Sequence, residues 1–218
     1  MEDKLEVIYE KRFAGSEEER EKVWRVLTRH FFQRWVGHGD VVLDVGAGYC
    51  EFINHIQAGT RYALDLNPAT AVRAAANVRV LSQDIATAWA LPSESVDVVF
   101  TSNFFEHLPA KAALQHCLGE IYRVLRSGGR LLAMGPNIRF CYDIYWDFFD
   151  HFLPLSDRSL AEALGIAGLQ VERVLPRFLP FTMKGKTPPP AALIRLYLQL
   201  PIFWKLLGKQ FLVVARKP

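Results

Sequence analysis

The chain has 218 residues, 50% of them hydrophobic, with a formal net charge of +3. That length suits one domain with a sizeable core. Its three cysteines (Cys50, Cys117 and Cys141) are scattered and odd in number, and its six histidines are dispersed, so no disulfide framework and no metal centre is expected, and the setting reads as reducing and cytoplasmic. The charged opening MEDKLE is unlike a secretory signal.

In chain order, a segment Val7–Phe13 precedes a helix expected from about Glu17 to Trp35, with Ser16 and Glu19 as its capping box. Residues Val41 to Cys50 (VVLDVGAGYC) are the most informative stretch. A short apolar run carries an acid, Asp44, then Gly46 and Gly48, and a helix is expected over Tyr49–Gln57. A buried strand that ends in a Gly-rich turn before a helix makes a nucleotide-type site. The dinucleotide fingerprint would need a glycine at position 51. Glu51 stands there and would repel a pyrophosphate, so the ligand is expected to be a nucleoside without phosphate, and Asp44 can face a cationic amine.

A second strand, Arg61–Leu66, carries Asp65 about 20 residues past the glycines, where an acid can hold both ribose hydroxyls. Asn67-Pro68 then opens a helix. A third strand, Val78–Ser82, leads to Gln83-Asp84-Ile85, and a fourth, Ser95–Thr101, leads to Ser102-Asn103-Phe104-Phe105-Glu106-His107-Leu108-Pro109. Apolar residues at helical spacing mark a helix over Ala110–Leu125, expected to end at Gly128-Gly129. A fifth strand, Arg130–Met134, a helix Asp157–Leu164 and two closing strands, Leu169–Leu175 and Gln210–Arg216, complete the pattern.

Asp44-x-Gly46-x-Gly48, with Cys50 at the third glycine, resembles the first motif of class I S-adenosylmethionine-dependent methyltransferases. Ser102–Pro109 resembles the S-x-x-F-E-H-L segment of their small-molecule and lipid-type members. The resemblance covers roughly residues 35–175. It implies a single-domain α/β fold with a Rossmann-like, doubly wound seven-stranded sheet, mostly parallel, its last strand antiparallel. It implies S-adenosylmethionine as cofactor and S-adenosylhomocysteine as product. The cofactor residues it implies are Asp44, Gly46, Ala47, Gly48, Asp65, Leu66, Asp84 beside the adenine amino group, Ile85 over the ring, Ser102 and Asn103. The departure at Cys50 is expected to be mild, because that position should lie in the helix. Four segments are expected: an N-terminal helical segment and lid (1–36), the core (37–175), a basic apolar insertion (176–209) and the last core strand (210–218). Tyr9 or Phe13 is the implied lid aromatic.

A hydroxyl or protonated amine acceptor needs a general base, and His107 and His151 are the candidates; His107 can equally be a histidine that starts a helix and bonds to backbone. Asp150 can orient His151 or simply be solvated. Aromatic residues crowd Phe140–Phe149, and Tyr142, Trp146 and Phe149 are expected against the acceptor. From Arg173 onward there are nine basic residues and no acid, whereas the preceding residues hold 17 basic and 23 acidic ones. This basic stretch is also apolar, but Leu196–Trp204 is far short of the ~20 residues of a membrane span. Two readings stand: a cover over the acceptor, or a surface for anionic membrane or an acidic acceptor. Nucleic acid is not expected, since no recognition motif interrupts the aliphatics. The functional expectation is O- or N-methylation of a small-molecule or lipid-linked acceptor bearing an acidic group. The other class, an inactive cofactor-binding partner subunit, has no need of intact Asp44, Gly46, Gly48, Asp65 and Asp84. A nicotinamide-dependent oxidoreductase fails on Glu51.

Overall fold

The computed structural model describes residues 17–181 and 189–218. Ser16, Tyr9 and Phe13, and with them the expected capping box and lid, lie outside the described residues. In chain order the elements are α1 (Glu17–His30), a 3-10 turn (Phe32–Trp35), β1 (Val41–Val45), β2 (Thr60–Leu64), α2 (Pro68–Arg73), β3 (Val78–Leu81), β4 (Val96–Ser102) and a second 3-10 turn (Phe105–His107). Then come α3 (Lys111–Val124), β5 (Leu125–Pro136), α4 (Ile138–Tyr145), α5 (Asp157–Ile166), β6 (Gln170–Leu175), α6 (Ala191–Gln199), α7 (Pro201–Leu207) and β7 (Gln210–Arg216). The seven strands make the expected α/β, Rossmann-like mixed sheet. The chain forms two compact units, the described residues of Met1–Asp84 with Met183–Pro201, and Ile85–Thr182 with Ile202–Pro218.

In the first unit the strands run in parallel in the order β3-β2-β1, with Asp44 opposite Ala63 and Leu64 opposite Leu81. Val42, Leu43 and Val45 are fully buried, as a parallel strand covered on both faces demands. α1 ends earlier than expected, at His30, and the chain continues as the 3-10 turn in which Phe31, Phe32 and Trp35 pack ring on ring. α6 of the insertion packs against α1, burying Ile194 and Leu198 and leaving Leu193, Leu196 and Leu200 exposed.

The helix expected over Tyr49–Gln57 is instead a string of turns. Its cause is Cys50, whose φ of 62° is left-handed and breaks helical propagation before it begins. The mild departure expected at Cys50 is therefore corrected: the residue does not lie in a helix but occupies the glycine-type conformation itself.

In the second unit the order is β4-β5-β7-β6, with β4 and β5 parallel and β7 antiparallel to both neighbours. Gly128-Gly129 does not end the preceding helix, which stops at Val124. The pair sits in β5, where register slips between Val96–Leu125 and Val98–Arg130. Gly128 needs its φ of 82° there, and a Cβ on Gly129 would lie 2.9 Å from the Arg126 carbonyl and 3.0 Å from that of Asp97. α5 starts at a capping box in which the Ser156 side chain accepts from the Ser159 amide and the Ser159 hydroxyl accepts from the Ser156 amide.

Gly129→Ala should cost about 2 kcal/mol, the scale of a forced overpacking against backbone. In a chain of this size that is a fall of roughly 4–8 °C in melting temperature by circular dichroism.

Candidate functional site

In the first unit the turn after β1 is hooked to the end of β2. The amides of Gly46 and Ala47 donate to the Leu64 carbonyl, at 2.9 and 3.4 Å. Gly46, Gly48 and Cys50 have φ of 69°, 51° and 62°, so every second residue is left-handed. Two are glycine, which takes that region freely; the third is not, and left-handed backbone costs an ordinary residue roughly 1–2 kcal/mol. Cys50 is held there by complete burial and by its thiol donating to the Thr70 carbonyl at 3.7 Å. The Thr70 hydroxyl in turn donates to the Gly48 carbonyl at 2.7 Å, so α2 clamps the turn.

Asp65 follows β2 directly. Its Oδ2 accepts the Gly48 amide at 2.7 Å and its Oδ1 the Asn67 amide at 2.8 Å. The Leu66 amide bonds this carboxylate as well, and an ionised carboxylate has about four acceptor positions, so one is left for a ligand hydroxyl. Leu66 beside it is exposed, Ala47 in the turn is buried, Asp84 after β3 is exposed and the adjoining Ile85 is half-buried.

Three acids concentrate in this unit. Asp44 is 3% exposed, and burial first, then the neighbouring charges of Asp65 and Glu51, hold its carboxyl well above the usual range, against one lowering hydrogen bond from the Ile53 amide. Burial also raises Asp65, opposed by the backbone bonds from Asn67, Gly48 and Leu66. Glu51 is raised by burial and relieved by Arg20, which lies 2.5 Å away. Glu51 is therefore a paired acid, and the negative character of the unit rests on Asp44 and Asp65. The residues present fit a cationic nucleoside: a turn without Cβ at Gly46 and Gly48, a carboxylate with a position left for a sugar hydroxyl, and a buried acid whose ionised form a positive charge would stabilise.

The second unit holds the histidines. Ser102 and Asn103 end β4; Asn103 is left-handed (φ 50°), its amide bonded to the Met134 carbonyl and its side-chain amide to the Ser102 hydroxyl at 3.0 Å. The 3-10 turn then presents Glu106 and His107. The Glu106 carbonyl accepts the amides of Phe152 and Leu153 at 2.8 and 3.0 Å, and His107 Nδ1 lies 2.8 Å from the Asp150 carbonyl and 3.2 Å from Asp150 Oδ2. These bonds bring together residues 43 positions apart. His151 is buried, stacked on Phe148 (4.8 Å, 15°), with its ring 5.1 Å from His107 and 4.7 Å from Tyr145.

His107 and His151 thus share one site, and Asp150 engages His107. Glu106, 4% exposed, is the residue that sequence reasoning passed over; its signal was an acid between Phe105 and His107 in an apolar setting. Tyr142, Trp146 and Phe149 are 71%, 60% and 93% exposed, so they form an open aromatic surface and not the lining of a closed pocket.

Residues 43–133 match the family model of the methyltransferase domain. Over 149 residues the chain is 29% identical to the uncharacterized protein MJ1252 of Methanocaldococcus jannaschii, covering 66% of this chain and 52% of that one. The chain thus spans about half the length of this curated relative. It is similar to the crystal structure of a SAM-dependent methyltransferase from Archaeoglobus fulgidus, at 20% identity and TM-score 0.68, covering 97% and 98% of the two chains. It is also similar to a chain of the complex between the Haloferax volcanii Trm112 methyltransferase activator and a methyltransferase, at 20% identity and TM-score 0.65, covering 95% and 94%.

Asp65→Ala should lower S-adenosylmethionine affinity roughly 10- to 100-fold, because a charged hydrogen bond to a sugar hydroxyl is worth ~1.5–3 kcal/mol; calorimetry on the folded variant checks it. Asp44→Asn should act in opposite directions on stability and binding. A carboxyl raised in the fold takes up protons on folding, so ligand-free stability falls as pH rises from the ordinary carboxylate value through the raised one. The variant should flatten that fall and melt about 2–4 °C higher near neutral pH, the effect of ~1 kcal/mol in a chain of this size. Its stabilisation by S-adenosylmethionine should shrink. Thermal melts with and without cofactor at several pH values test both.

Proposed function

We propose that this chain, whose core is a class I S-adenosylmethionine-dependent methyltransferase domain, transfers a methyl group to oxygen or nitrogen of a small-molecule or lipid-linked acceptor bearing an acidic group. S-adenosylmethionine supplies an electrophilic methyl on a sulfonium, and S-adenosylhomocysteine leaves. What the chain must add is binding, alignment and a place for the acceptor's proton. His107 meets the last need: Asp150 engages its Nδ1, which leaves Nε2 to take a proton. His151, wedged among Phe148, Tyr145 and Phe181, is the second candidate.

The observation that carries the acceptor class lies beside this cluster. Tyr142, Trp146, Phe149 and Phe152 stand exposed within one short segment, and contiguous exposed aromatics mark a binding surface for apolar groups. In the same unit α7 exposes Ile202, Phe203, Leu206 and Leu207, and the sequence after Glu172 carries only positive charge. An amphiphile with an apolar body and an anionic head suits both features. No helix of the described residues is long and apolar enough to cross a membrane, so the attachment in this reading is peripheral, through residues 176–209.

Vesicle co-sedimentation tests the surface. The chain should bind phosphatidylserine-containing vesicles at low salt and release them at high salt, as screening shortens the reach of its basic residues. Trp146→Ala with Phe149→Ala should cut that binding severalfold without altering the melting temperature, since both side chains are exposed. No vesicle binding at either salt would leave a soluble acceptor. Incubation of a cell extract with methyl-labelled S-adenosylmethionine then places the label in the organic or the aqueous phase.

A further inference from the structure

Among the described residues, one group of metal-ligating side chains converges: Glu106, His107 and His151 each offer one ligand atom, all within 4.8 Å of one another. We propose that these three residues form a binding site for a single transition-metal dication of the Zn2+, Co2+ or Mn2+ class. This goes beyond the reading of the acceptor and holds whether the acceptor is a lipid or not.

The first argument is the donor set. Two imidazoles and one carboxylate suit first-row transition metals, whereas Mg2+ and Ca2+ favour oxygen throughout. Three protein ligands leave an open position, as at a reactive metal centre and unlike a closed structural one. The second argument is support. A ligating histidine ordinarily has its other ring nitrogen fixed by a carboxylate or a carbonyl. His107 has both, through Asp150 at 2.8 and 3.2 Å, so Nδ1 is spoken for and Nε2 is the metal-binding nitrogen.

The third argument is rigidity and burial. Glu106 and His151 are 4% and 6% exposed. The backbone bonds from Phe152 and Leu153 to the Glu106 carbonyl fix the two segments to each other, and Phe148 stacks against His151 and holds its ring. A tetrahedral ion with ligands at ~2.0–2.2 Å keeps them ~3.4 Å apart, so the set closes by modest rotamer changes. The sequence hid the site because its ligands come from two distant segments, with none of the short spacing of a metal motif.

With the cation in place, His107 and His151 are ligands, and an acceptor oxygen at the open position loses its proton more readily. Their role then differs from the general base proposed above, and the two roles are separable by experiment. The full chain is treated with chelator and titrated with Co2+, followed by visible absorption, and with Zn2+, followed by calorimetry. The expected result is one ion per chain, without sulfur-to-cobalt charge-transfer bands, since Cys50, Cys117 and Cys141 are not in the set.

Glu106→Gln and His107→Gln should each weaken binding at least 10-fold, and Asp150→Asn roughly 10-fold through the orientation of His107. His38→Gln, at an exposed histidine, should leave binding unchanged. Circular dichroism verifies that each variant is folded. Binding unaltered in folded Glu106→Gln and His107→Gln, or no saturable binding at one ion per chain, overturns the proposal. S-adenosylmethionine binding and methyl transfer, measured on the chelated wild type, are scored separately: activity that survives chelation beside tight, ligand-dependent metal binding would assign the histidines to the metal and leave the base elsewhere.

Discussion

The bond from the Gly48 amide to the Asp65 carboxylate is the constraint on which the first unit turns. It forms only if the backbone after β1 doubles back, and that requires left-handed residues at positions 46, 48 and 50. Glycine provides two of them without strain. Cys50 provides the third against its preference, held by burial and by Thr70. The same bond, with those from Asn67 and Leu66, fixes the Asp65 carboxylate and leaves it one acceptor position. Turn geometry, α2 and Asp65 are therefore one interlocked arrangement.

That arrangement concentrates negative charge. Asp44 and Asp65 are both raised by burial, and Asp44 further by its acidic neighbours, so the ligand-free state carries an electrostatic strain that rises with pH. A neutral nucleoside leaves the strain in place; a cationic one relieves it. Arg20 limits the effect by pairing with Glu51, which leaves the two aspartates to set the field.

Much of this was legible in the sequence because it is local. Asp44, Gly46, Gly48 and Asp65 sit at fixed offsets along a strand-turn-strand pattern, and hydrophobic periodicity delimited the strands to within about two residues, except the fifth, which begins at Leu125 and not Arg130. Helix propensity failed at Tyr49–Gln57 because a single backbone conformation at Cys50 overrides it. Gly128-Gly129 looked like a helix stop but serves a register shift that only the pairing of β4 with β5 reveals. In the second unit the sequence named both histidines and not their partners. Asp150 adjoins His151 along the chain yet bonds to His107, and Glu106 was read only as part of a motif. Such contacts depend on how the segment after α4 folds back onto the 3-10 turn, which no local pattern encodes. The exposure of Tyr142, Trp146 and Phe149 was equally hidden, since aromatic clustering suits a closed pocket as well as an open surface.

The central claim is that an acid pair in the first unit, Asp44 buried and Asp65 half-buried, is set to receive a positive charge. Calorimetry of S-adenosylmethionine binding in two buffers of different ionisation enthalpy, at mildly acidic pH, measures the protons exchanged on binding. The cation should draw the raised carboxyl of Asp44 into its ionised form, so protons should be released, and S-adenosylhomocysteine, which lacks the sulfonium, should release fewer. Proton uptake, or identical proton release by the two ligands, would contradict the account.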